Sequence, residues 1–463
     1  MQLDHAVLKL KPLEALILSL FILGSISLSI IYFEVVPHIP IIISIFTLLF
    51  YGVIRKVLIK DLESGMVEGA KSGIGAIILF FFIGMLISSW MASGTIPTFI
   101  YLALEVVNGK LFYAIVFTVT AIVGVSIGSA FTTSATLGVA FMSVSGALDL
   151  SLSITAGAII SGAFFGDKMS PLSDTTNLAS SILKVDLFDH IKNMTWTTVP
   201  AFIFSFILFA LLSPQNKSSN FENISILKNA LLSLDLVHWY SLIPFVLLAY
   251  LALKKVSAIF TLTAGILSGI FISFFVQKDI SLKWMMEVLY SGFKSNTGME
   301  EIDSLLSRGG MESMMFSISL VLLSLSMGGL LFKLGILPAL LEGIKDAIQR
   351  VPLLISSTAA TAIGLNFLVG EQYLSILLTG NAFKQAYEKT GLHLKNLSRV
   401  LEDAGTVINP LVPWSVSGVF LTGVLGVSTI DYLPFTFFCL LSPILTILFG
   451  LTGFSIVKTS HRN

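Results

Sequence analysis

The dominant feature of this chain is a series of long apolar runs that recur from one end to the other. Each run is close to the roughly 20 residues that an α-helix needs to cross the hydrocarbon core of a bilayer. Charged residues make up 12% of the 463 residues and hydrophobic residues 55%, whereas soluble domains carry about 25% charged residues. The sequence therefore predicts an all-α polytopic membrane protein.

The apolar runs predict the approximate positions of the spans. The first run, 13–33, is too long for the core of a signal peptide and is interpreted as a retained span. Segments 58–71 and 281–296 have the pattern of amphipathic helices at the membrane interface. The remaining spans are predicted at 39–54, 73–93, 111–147, 194–213, 238–253, 256–276, 312–333, 351–379 and 432–456, with interruptions in 111–147 and 351–379.

Two further segments, 151–184 and 394–426, are apolar at both ends and polar in the middle. They belong to an internal repeat, because "GDKMSPL" from Gly166 matches "GTVINPL" from Gly405 in glycine, proline and leucine. Other ordered matches, such as "GTIP" at 94–97 with "GILP" at 335–338, have nearly the same offset. Repeats at a fixed offset indicate a duplicated architecture. We therefore divide the chain into a first repeat, 1–213, a connecting loop, 214–237, and a second repeat, 238–463.

The basic residues of short loops predict the orientation, because cytoplasmic loops carry an excess of lysine and arginine. Most of them fall on one side if 151–184 and 394–426 each enter and leave the membrane on the same side, as re-entrant hairpins. The first hairpin would open to the cytoplasm, the second to the outside, and both termini would be cytoplasmic. Four basic residues contradict this arrangement by falling outside: Lys384, Lys389, Lys395 and Arg399.

Inverted repeats with broken helices are typical of secondary transporters, whose sites lie where the breaks meet. Polar backbone at membrane depth is tolerated only when it is buried in protein or lines a wet cavity. Four interruptions fit this description: 128–138, 364–380, 166–179 and 401–418. The first two contribute the candidate ion-binding residues Thr132, Thr133, Ser134, Thr136, Asn366 and Glu371.

The other two interruptions centre on prolines, Pro171 and Pro410, which cannot continue a helix. Glycines, Gly166 and Gly405, precede them. The third supplies Asp167, Lys168, Ser170, Asp174, Thr175 and Thr176, and the fourth supplies Glu402, Asp403, Thr406 and Asn409. Glu402 and Asp403 are adjacent, so at most one is expected to reach a shared site. The alternatives are ordinary ones: small-residue packing, a structural ion pair, a solvated loop and a peripheral turn.

Composition and motifs exclude several classes of function. The net charge of zero and the absence of a basic run argue against a nucleic-acid partner. One cysteine and six scattered histidines, interpreted as interfacial, predict neither disulfides nor a metal site. The H-E-x-x-H motif is absent, and the sequence offers neither a convergent catalytic triad nor a cluster of metal ligands that would indicate an intramembrane enzyme. A channel would need a continuous polar stripe, whereas the polarity here is confined to the breaks, and no cofactor is expected beyond the transported ions.

The stretches "FGDKMSPLSDTTNLA" (165–179) and "LEDAGTVINPLVPW" (401–414) resemble the NhaC family of bacterial Na⁺/H⁺ antiporters. The resemblance implies a multi-pass protein of the bacterial inner membrane. It also implies two inverted repeats of about five transmembrane helices, each with an interrupted helix and a re-entrant hairpin, and elevator-type movement. A homodimer is expected by analogy with elevator carriers. The motif residues that carry over are Asp167, Ser170, Pro171, Asp174, Thr175 and Thr176, followed by Glu402, Asp403, Thr406 and Pro410.

The leading hypothesis is exchange of external H⁺ for internal Na⁺, with Li⁺ as a further candidate. A buried carboxylate that binds either cation but not both gives antiport by competition. Asp174 is the first choice for this carboxylate and Asp167 the second, while Glu371 and Asp403 are reserve proton carriers. The alternative is Na⁺-coupled exchange of a small carboxylate, as in the malate–lactate antiporters of the same family, or of an amino acid. In that case Lys168 and hairpin N–H groups would hold the anion; otherwise Lys168 could neutralise one aspartate.

Overall fold

The computed structural model of the protein describes residues 6–106, 111–214, 228–229, 231–254, 256–277, 280–296, 303, 306–344 and 350–459. This part of the chain is helical, and its one β-bridge joins Leu392 to Lys458. Most of the connecting loop 214–237 lies outside the described residues. Six helices are long and apolar enough to cross a membrane, or up to eight if two bent pairs each count as one span. The prediction of an all-α polytopic membrane protein is confirmed.

The helices of the first half are α1 (Pro12–Ile31), α2 (His38–Ile54), α3 (Ile59–Ser72), α4 (Ile74–Ala92), α5 (Thr95–Val106), α6 (Phe112–Ile127), α7 (Ala130–Thr133), α8 (Val139–Ala147), α9 (Leu152–Met169), α10 (Asp174–Leu183) and α11 (Leu187–Leu212). Those of the second half are α12 (Ile243–Leu253), α13 (Ala258–Val276), α14 (Leu282–Ser291), α15 (Met315–Lys333), α16 (Ile336–Ile344), α17 (Val351–Val369), α18 (Gln372–Lys389), α19 (Leu394–Leu401), α20 (Val416–Leu425), α21 (Thr429–Tyr432) and α22 (Phe437–Thr452). Two π-helical turns, Ser134–Gly138 and Glu402–Thr406, interrupt this pattern.

The chain reverses direction at Gly128, the tip of what we call the first hairpin (112–147). Gly128 ends α6 with a φ of 72°, and the side chain of Ser129 then caps the next helix by accepting from the Thr132 amide. The returning arm runs antiparallel to α9, since Gly138 lies against Ile159 and the Ser145 hydroxyl is 2.7 Å from that of Thr155. The outgoing arm, α6, is parallel to α9, with Gly124 packed on Gly166.

The second hairpin (351–389) reverses in the same way at Gly370, whose φ is 73°. The Glu371 carboxylate caps the following helix by accepting from the Leu374 amide at 2.7 Å. The two arms are antiparallel because the Ser375 hydroxyl donates to the Ala362 carbonyl at 2.7 Å, and Tyr387 reaches Thr358 at 3.3 Å further along. A glycine in the left-handed region gives this reversal without the strain that a side chain would add.

The segments predicted as re-entrant hairpins, 151–184 and 394–426, are broken spans in the structure. The hairpins are instead formed by the segments predicted as interrupted spans, 111–147 and 351–379. The first broken span (152–183) starts beside Tyr113, whose hydroxyl accepts from the Ser151 amide at 3.0 Å, and ends beside the start of α11. In the second broken span (394–425), the axis bends by 47° between Leu394–Leu411 and Val416–Leu425. The breaks at 170–173 and 407–415, all of whose residues are described, contain no residue with positive φ.

The corrected assignment of hairpins and broken spans also removes the conflict over the four basic residues that were predicted to fall outside. Near the start of helix α11, Asn193 donates to the Lys395 carbonyl at 2.7 Å, and directly after its end the Ser213 hydroxyl accepts from the Tyr113 amide at 3.1 Å. His393 pairs with Val457 at the Asn193 end. We call this end of the bundle the basic end, because its described residues include Lys184, Lys192, Arg350, Lys384, Lys389, Lys395, Arg399 and Lys458. Lys255, Lys345 and Arg462 lie outside the described residues.

Helix α3, expected at the membrane interface, instead packs along the span α15. A Cβ atom on Gly69 would lie 2.1 Å from the Leu325 carbonyl oxygen, and one on Gly329 would lie 2.1 Å from the Gly65 oxygen. Small residues permit such close approach between helices. The amphipathic pattern therefore reports a protein contact for α3. The second amphipathic segment forms α14, which packs beside α4.

Candidate ion-binding site

The two hairpin tips meet the two breaks inside the bundle. A Cβ atom on Gly128 would lie 2.9 Å from the Ser170 hydroxyl oxygen, so the first tip touches the first break. The second tip touches the second break, where the Val416 amide donates to the Gly370 carbonyl at 2.8 Å. The four polar interruptions of the sequence are thus gathered in one region.

A cavity of about 670 Å³ opens between these tips and breaks. Its described lining includes two carboxylates, Asp174 and Glu371, and no basic residue. Ser129 and Thr132 of the first tip and Ser417 of the second broken span add hydroxyl groups. The cavity therefore presents oxygen atoms and negative charge, which suit a hard cation.

Asp167 lies behind Asp174 and is only 6% exposed, whereas Asp174 is exposed to the cavity. The Asp167 carboxylate faces the Ser173 hydroxyl and the Ala130 amide, and the charge of Asp174 acts on it. It is thus placed between the first tip and the first break. Its surroundings supply hydrogen-bond donors to a carboxylate, which is how a buried charge is retained.

Lys168 and Asp403 form a buried ion pair that joins the two broken spans. Both side chains are fully buried, and the ammonium group bonds to Oδ1 of Asp403. The Thr197 hydroxyl donates to the same oxygen at 3.2 Å. Lys168 was expected to contact a substrate anion or to neutralise an aspartate. Because its charge is engaged by Asp403 away from the cavity, the first of these roles is not supported.

Glu402 is fully buried beside this pair. The Thr406 hydroxyl lies near the Glu402 carboxylate, but in the described part of the chain neither group has a hydrogen-bonded partner of ordinary geometry. The charges nearest to Glu402 are those of Asp167, Lys168 and Asp403. Both acidic neighbours thus reach one cluster, contrary to our expectation, because the segment winds as a π-helix and the long Lys168 side chain enters from the other half.

Several candidate residues of the second half hold the backbone in place. The Asn366 amide donates to the Gly405 carbonyl at 2.6 Å, and Asn409 donates to the Asn366 oxygen at 2.8 Å. The Pro410 carbonyl accepts from the Tyr432 hydroxyl at 2.7 Å. These groups are used in tying the second hairpin to the second broken span. They are consequently poor candidates for ligands.

The hydroxyl residues of the first half divide into three groups. Thr136 donates back to the Thr132 carbonyl at 2.8 Å, and Thr176 donates to the Lys168 carbonyl at 3.1 Å, so both stabilise local backbone. Thr133 and Ser134 are buried with no partner among the described residues. The others are bonded at the break itself: Ser170 accepts from the Leu172 amide at 3.2 Å, and Thr175 is 3.0 Å from the Ser173 hydroxyl.

Sequence reasoning missed the polar face of α11. His190, interpreted there as interfacial, is fully buried, and neither ring nitrogen has a partner among the described residues. The charge of Lys168 acts on it. Asn193 and Thr197 follow at helical spacing on the same face. This i, i+3, i+7 series of polar residues inside an apolar run was the available indication.

Comparison with known proteins identifies the group to which these features belong. The model of the Na⁺/H⁺ antiporter family matches residues 162–454, which include most of the first broken span, the whole second broken span and the whole second hairpin. The chain belongs to this family. The match confirms the resemblance carried by 165–179 and 401–414.

Individual relatives extend the family match over nearly the whole chain. A protein of Alkalihalophilus pseudofirmus named Na⁺/H⁺ antiporter NhaC is 43% identical over 425 residues, 92% of each chain. One of the same name from Bacillus subtilis is 42% identical and covers 90% of this chain and 92% of its own. The malate-2H⁺/Na⁺-lactate antiporter of B. subtilis is 33% identical over 96% of both chains. The likeness to the antiporters named NhaC is therefore greater than the likeness to the malate–lactate antiporter.

Proposed function

We propose that this protein exchanges Na⁺ for H⁺ across the bacterial inner membrane as a secondary active transporter. The observation that carries the proposal is the position of Asp167, a buried carboxylate between the first tip and the first break, next to Asp174, which lines the acidic cavity. An ionisable residue within a membrane protein is expensive to bury and marks an ion pathway by default. The relatives named Na⁺/H⁺ antiporter NhaC support the same conclusion.

The Na⁺ ligands would be Asp167 together with hydroxyls that lie around it. The candidates are Ser173 of the first break, which faces Asp167, and Ser129 and Thr132 of the first tip, which line the cavity. Asp174 stands at the cavity side and would attract the cation before it reaches Asp167. In this arrangement Asp167 replaces Asp174 as the first choice for the cation-binding carboxylate, because only Asp167 is buried.

We extend the proposal to two inverted repeats and elevator movement, and the orientation of the two hairpins supports the first of these. The first hairpin opens at the end opposite the basic end and the second opens at the basic end, so the two halves have opposite orientation. With the positive-inside rule, the basic end is cytoplasmic. Residues 456–459 would then lie on the cytoplasmic side, because Val457 pairs with His393 at the basic end. Residues 7–14 would lie on the same side. Val7 pairs with Lys333, which α15 carries away from the tip of the second hairpin, and Glu14 pairs with Arg55.

The alternative substrate, a small carboxylate, has one observation in its favour. A cavity of about 670 Å³ is larger than a bare cation requires. However, its carboxylates would repel an anion, and the buried Lys168 is paired with Asp403. We therefore favour inorganic cations.

The test is Na⁺-dependent proton movement by purified protein in liposomes that contain no organic substrate. Asp167→Asn is expected to abolish the exchange, because the amide keeps the shape but loses the charge. Asp189→Asn, an exposed aspartate at the start of α11, is the matched control and is expected to transport like wild type. Exchange by Asp167→Asn at the wild-type rate would remove Asp167 from its role. A requirement for malate, lactate or an amino acid would favour the alternative.

A further inference from the structure

Glu402 has a different environment from every other carboxylate in the cluster. Asp403 has Lys168 and the Thr197 hydroxyl as partners, and Asp167 faces the Ser173 hydroxyl and the Ala130 amide. Glu402 is fully buried, and although the Thr406 hydroxyl lies near its carboxylate, neither oxygen has a hydrogen-bonded donor or a cation of its own among the described residues. An ionised carboxylate without a donor or a cation of its own is very costly to bury, whereas the protonated acid is neutral.

We propose that Glu402 holds the exchanged proton at a place separate from the cation site at Asp167, and releases it when Na⁺ binds there. This inference rests on the proposed Na⁺/H⁺ exchange and refines it. The cation and the proton would then occupy two neighbouring carboxylates. The coupling between them would be electrostatic, through the charge of Asp167 acting on Glu402.

The charges of the cluster balance in both loaded states. The Lys168–Asp403 pair is neutral, so the variable charges are those of Asp167 and Glu402. With the proton on Glu402 and Asp167 ionised, the cluster has a net charge of −1. With Na⁺ on Asp167 and Glu402 ionised, it again has a net charge of −1. Binding of Na⁺ removes the repulsion that favours protonated Glu402, and the proton leaves to solvent while the carboxylate keeps its electron pair.

The groups that face Glu402 from the surrounding elements allow this exchange. The first broken span contributes Asp167 and Lys168, and α11 contributes His190 and Thr197 around the same lysine. Helix α22 brings Cys439 toward Lys168. Arg399 lies one turn before Glu402, but its guanidinium group donates to the Ser455 hydroxyl. The acidic group that acts on Arg399 is Asp403. The second hairpin packs on the same π-helical turn with uncharged side chains, Ala362, Ser375 and Ile376.

The decisive experiment measures Na⁺ binding and proton release together on the purified full chain in detergent. Radioactive Na⁺ binding is measured at acidic and at alkaline pH, and a pH indicator in weakly buffered solution records the protons released. Wild type is expected to release one proton per Na⁺ bound, with weaker binding at acidic pH. Glu402→Gln is expected to bind Na⁺ equally at both pH values and to release no proton. Glu388→Gln, an exposed glutamate at the basic end, should behave as wild type.

Failures of the two proposals are distinguishable. Na⁺ binding by Asp167→Asn would overturn the proposed cation site. Wild-type proton release by Glu402→Gln, or loss of its Na⁺ binding, would overturn the role of Glu402. Infrared difference spectra of the unsubstituted protein give a second measurement that does not depend on a variant. Na⁺ should remove the carbonyl band of a protonated carboxylic acid, and spectra without such a loss would contradict the inference.

Discussion

The ion pair between Lys168 and Asp403 gives a quantitative test of how the two halves are held together. The pair joins residues 235 positions apart, and both side chains are fully buried. Removing one partner leaves a buried charge without compensation. We consider three variants: Lys168→Met, Asp403→Asn and the two combined.

The expected magnitudes follow from the surroundings of the pair. Each single change leaves one uncompensated charge and should lower the free energy of unfolding by about 3–5 kcal/mol. Additive behaviour would therefore give a loss of about 6–10 kcal/mol in the double variant. The double variant contains no unpaired charge, however, and the amide oxygen that replaces the carboxylate of Asp403 can still accept from Thr197. Its loss should be about 1–3 kcal/mol, the cost of the remaining unsatisfied amide group.

Equilibrium unfolding of the purified variants in mixed detergent and SDS, followed by circular dichroism, measures these differences. Lys192→Met is the matched control, because Lys192 is an exposed lysine on α11. It should change the free energy of unfolding by no more than about 0.5 kcal/mol. A double variant as unstable as the sum of its single variants would refute the reasoning, since it would show that the two charges do not compensate each other.

Three further outcomes test the cavity and the helix contacts. Asp174→Asn should raise the Na⁺ concentration for half-maximal exchange several-fold but leave exchange in place, because Asp174 is exposed at the cavity; complete loss of transport in the liposome assay would return Asp174 to first choice. Gly370→Ala, at a φ of 73°, should lower the free energy of unfolding by about 1–2 kcal/mol, because a side chain is strained in that conformation. Gly364→Ala, in open space within a helix, should raise the free energy of unfolding or leave it unchanged, and equal effects of the two changes would contradict this reasoning. Gly69→Ala should cost about 1–3 kcal/mol because its Cβ would meet the Leu325 carbonyl, and Gly75→Ala, with no atom within 4 Å, is the control; unchanged unfolding of Gly69→Ala would argue against the close α3–α15 contact.

The sequence predicted where the polar interruptions lie but not which of them reverse the chain. Both kinds combine a helix-breaking residue with polar neighbours, and both leave apolar flanks. The difference is local: Gly128 and Gly370 have positive φ and are followed at once by the capping residues Ser129 and Glu371. Pro171 and its counterpart stop a helix without requiring a reversal. Gly166 and Gly405 are also followed directly by residues that can cap a helix, Asp167 and Thr406, so the positive φ that distinguishes the two tips is visible only in the structure.

The partners within the site could not be predicted, because they depend on contacts between the two halves. Lys168 was correctly expected to be able to neutralise an aspartate, but the aspartate belongs to the other broken span. The burial of His190 was missed because a histidine near the predicted end of a span is usually interfacial. In the structure α11 begins at Leu187, several residues before the predicted span at 194–213, and this extra turn takes His190 into the interior.

The corrected positions of hairpins and broken spans bring together two observations that conflicted in the sequence. When 152–183 and 394–425 are broken spans, the end of the bundle that carries the other basic loops also contains Lys384, Lys389, Lys395 and Arg399. The cavity is bordered by the start of α13, which follows Lys254. The other end of α13 carries Gln277, which donates to the Ala92 carbonyl. Gly84 of α4 packs against Gly310, which precedes α15. From this contact α4 continues to Ala92, and α15 continues to Lys333. The cavity thus borders the basic end, and with that end cytoplasmic, Asp174 would meet cytoplasmic Na⁺ while Asp167 and Glu402 remain behind it.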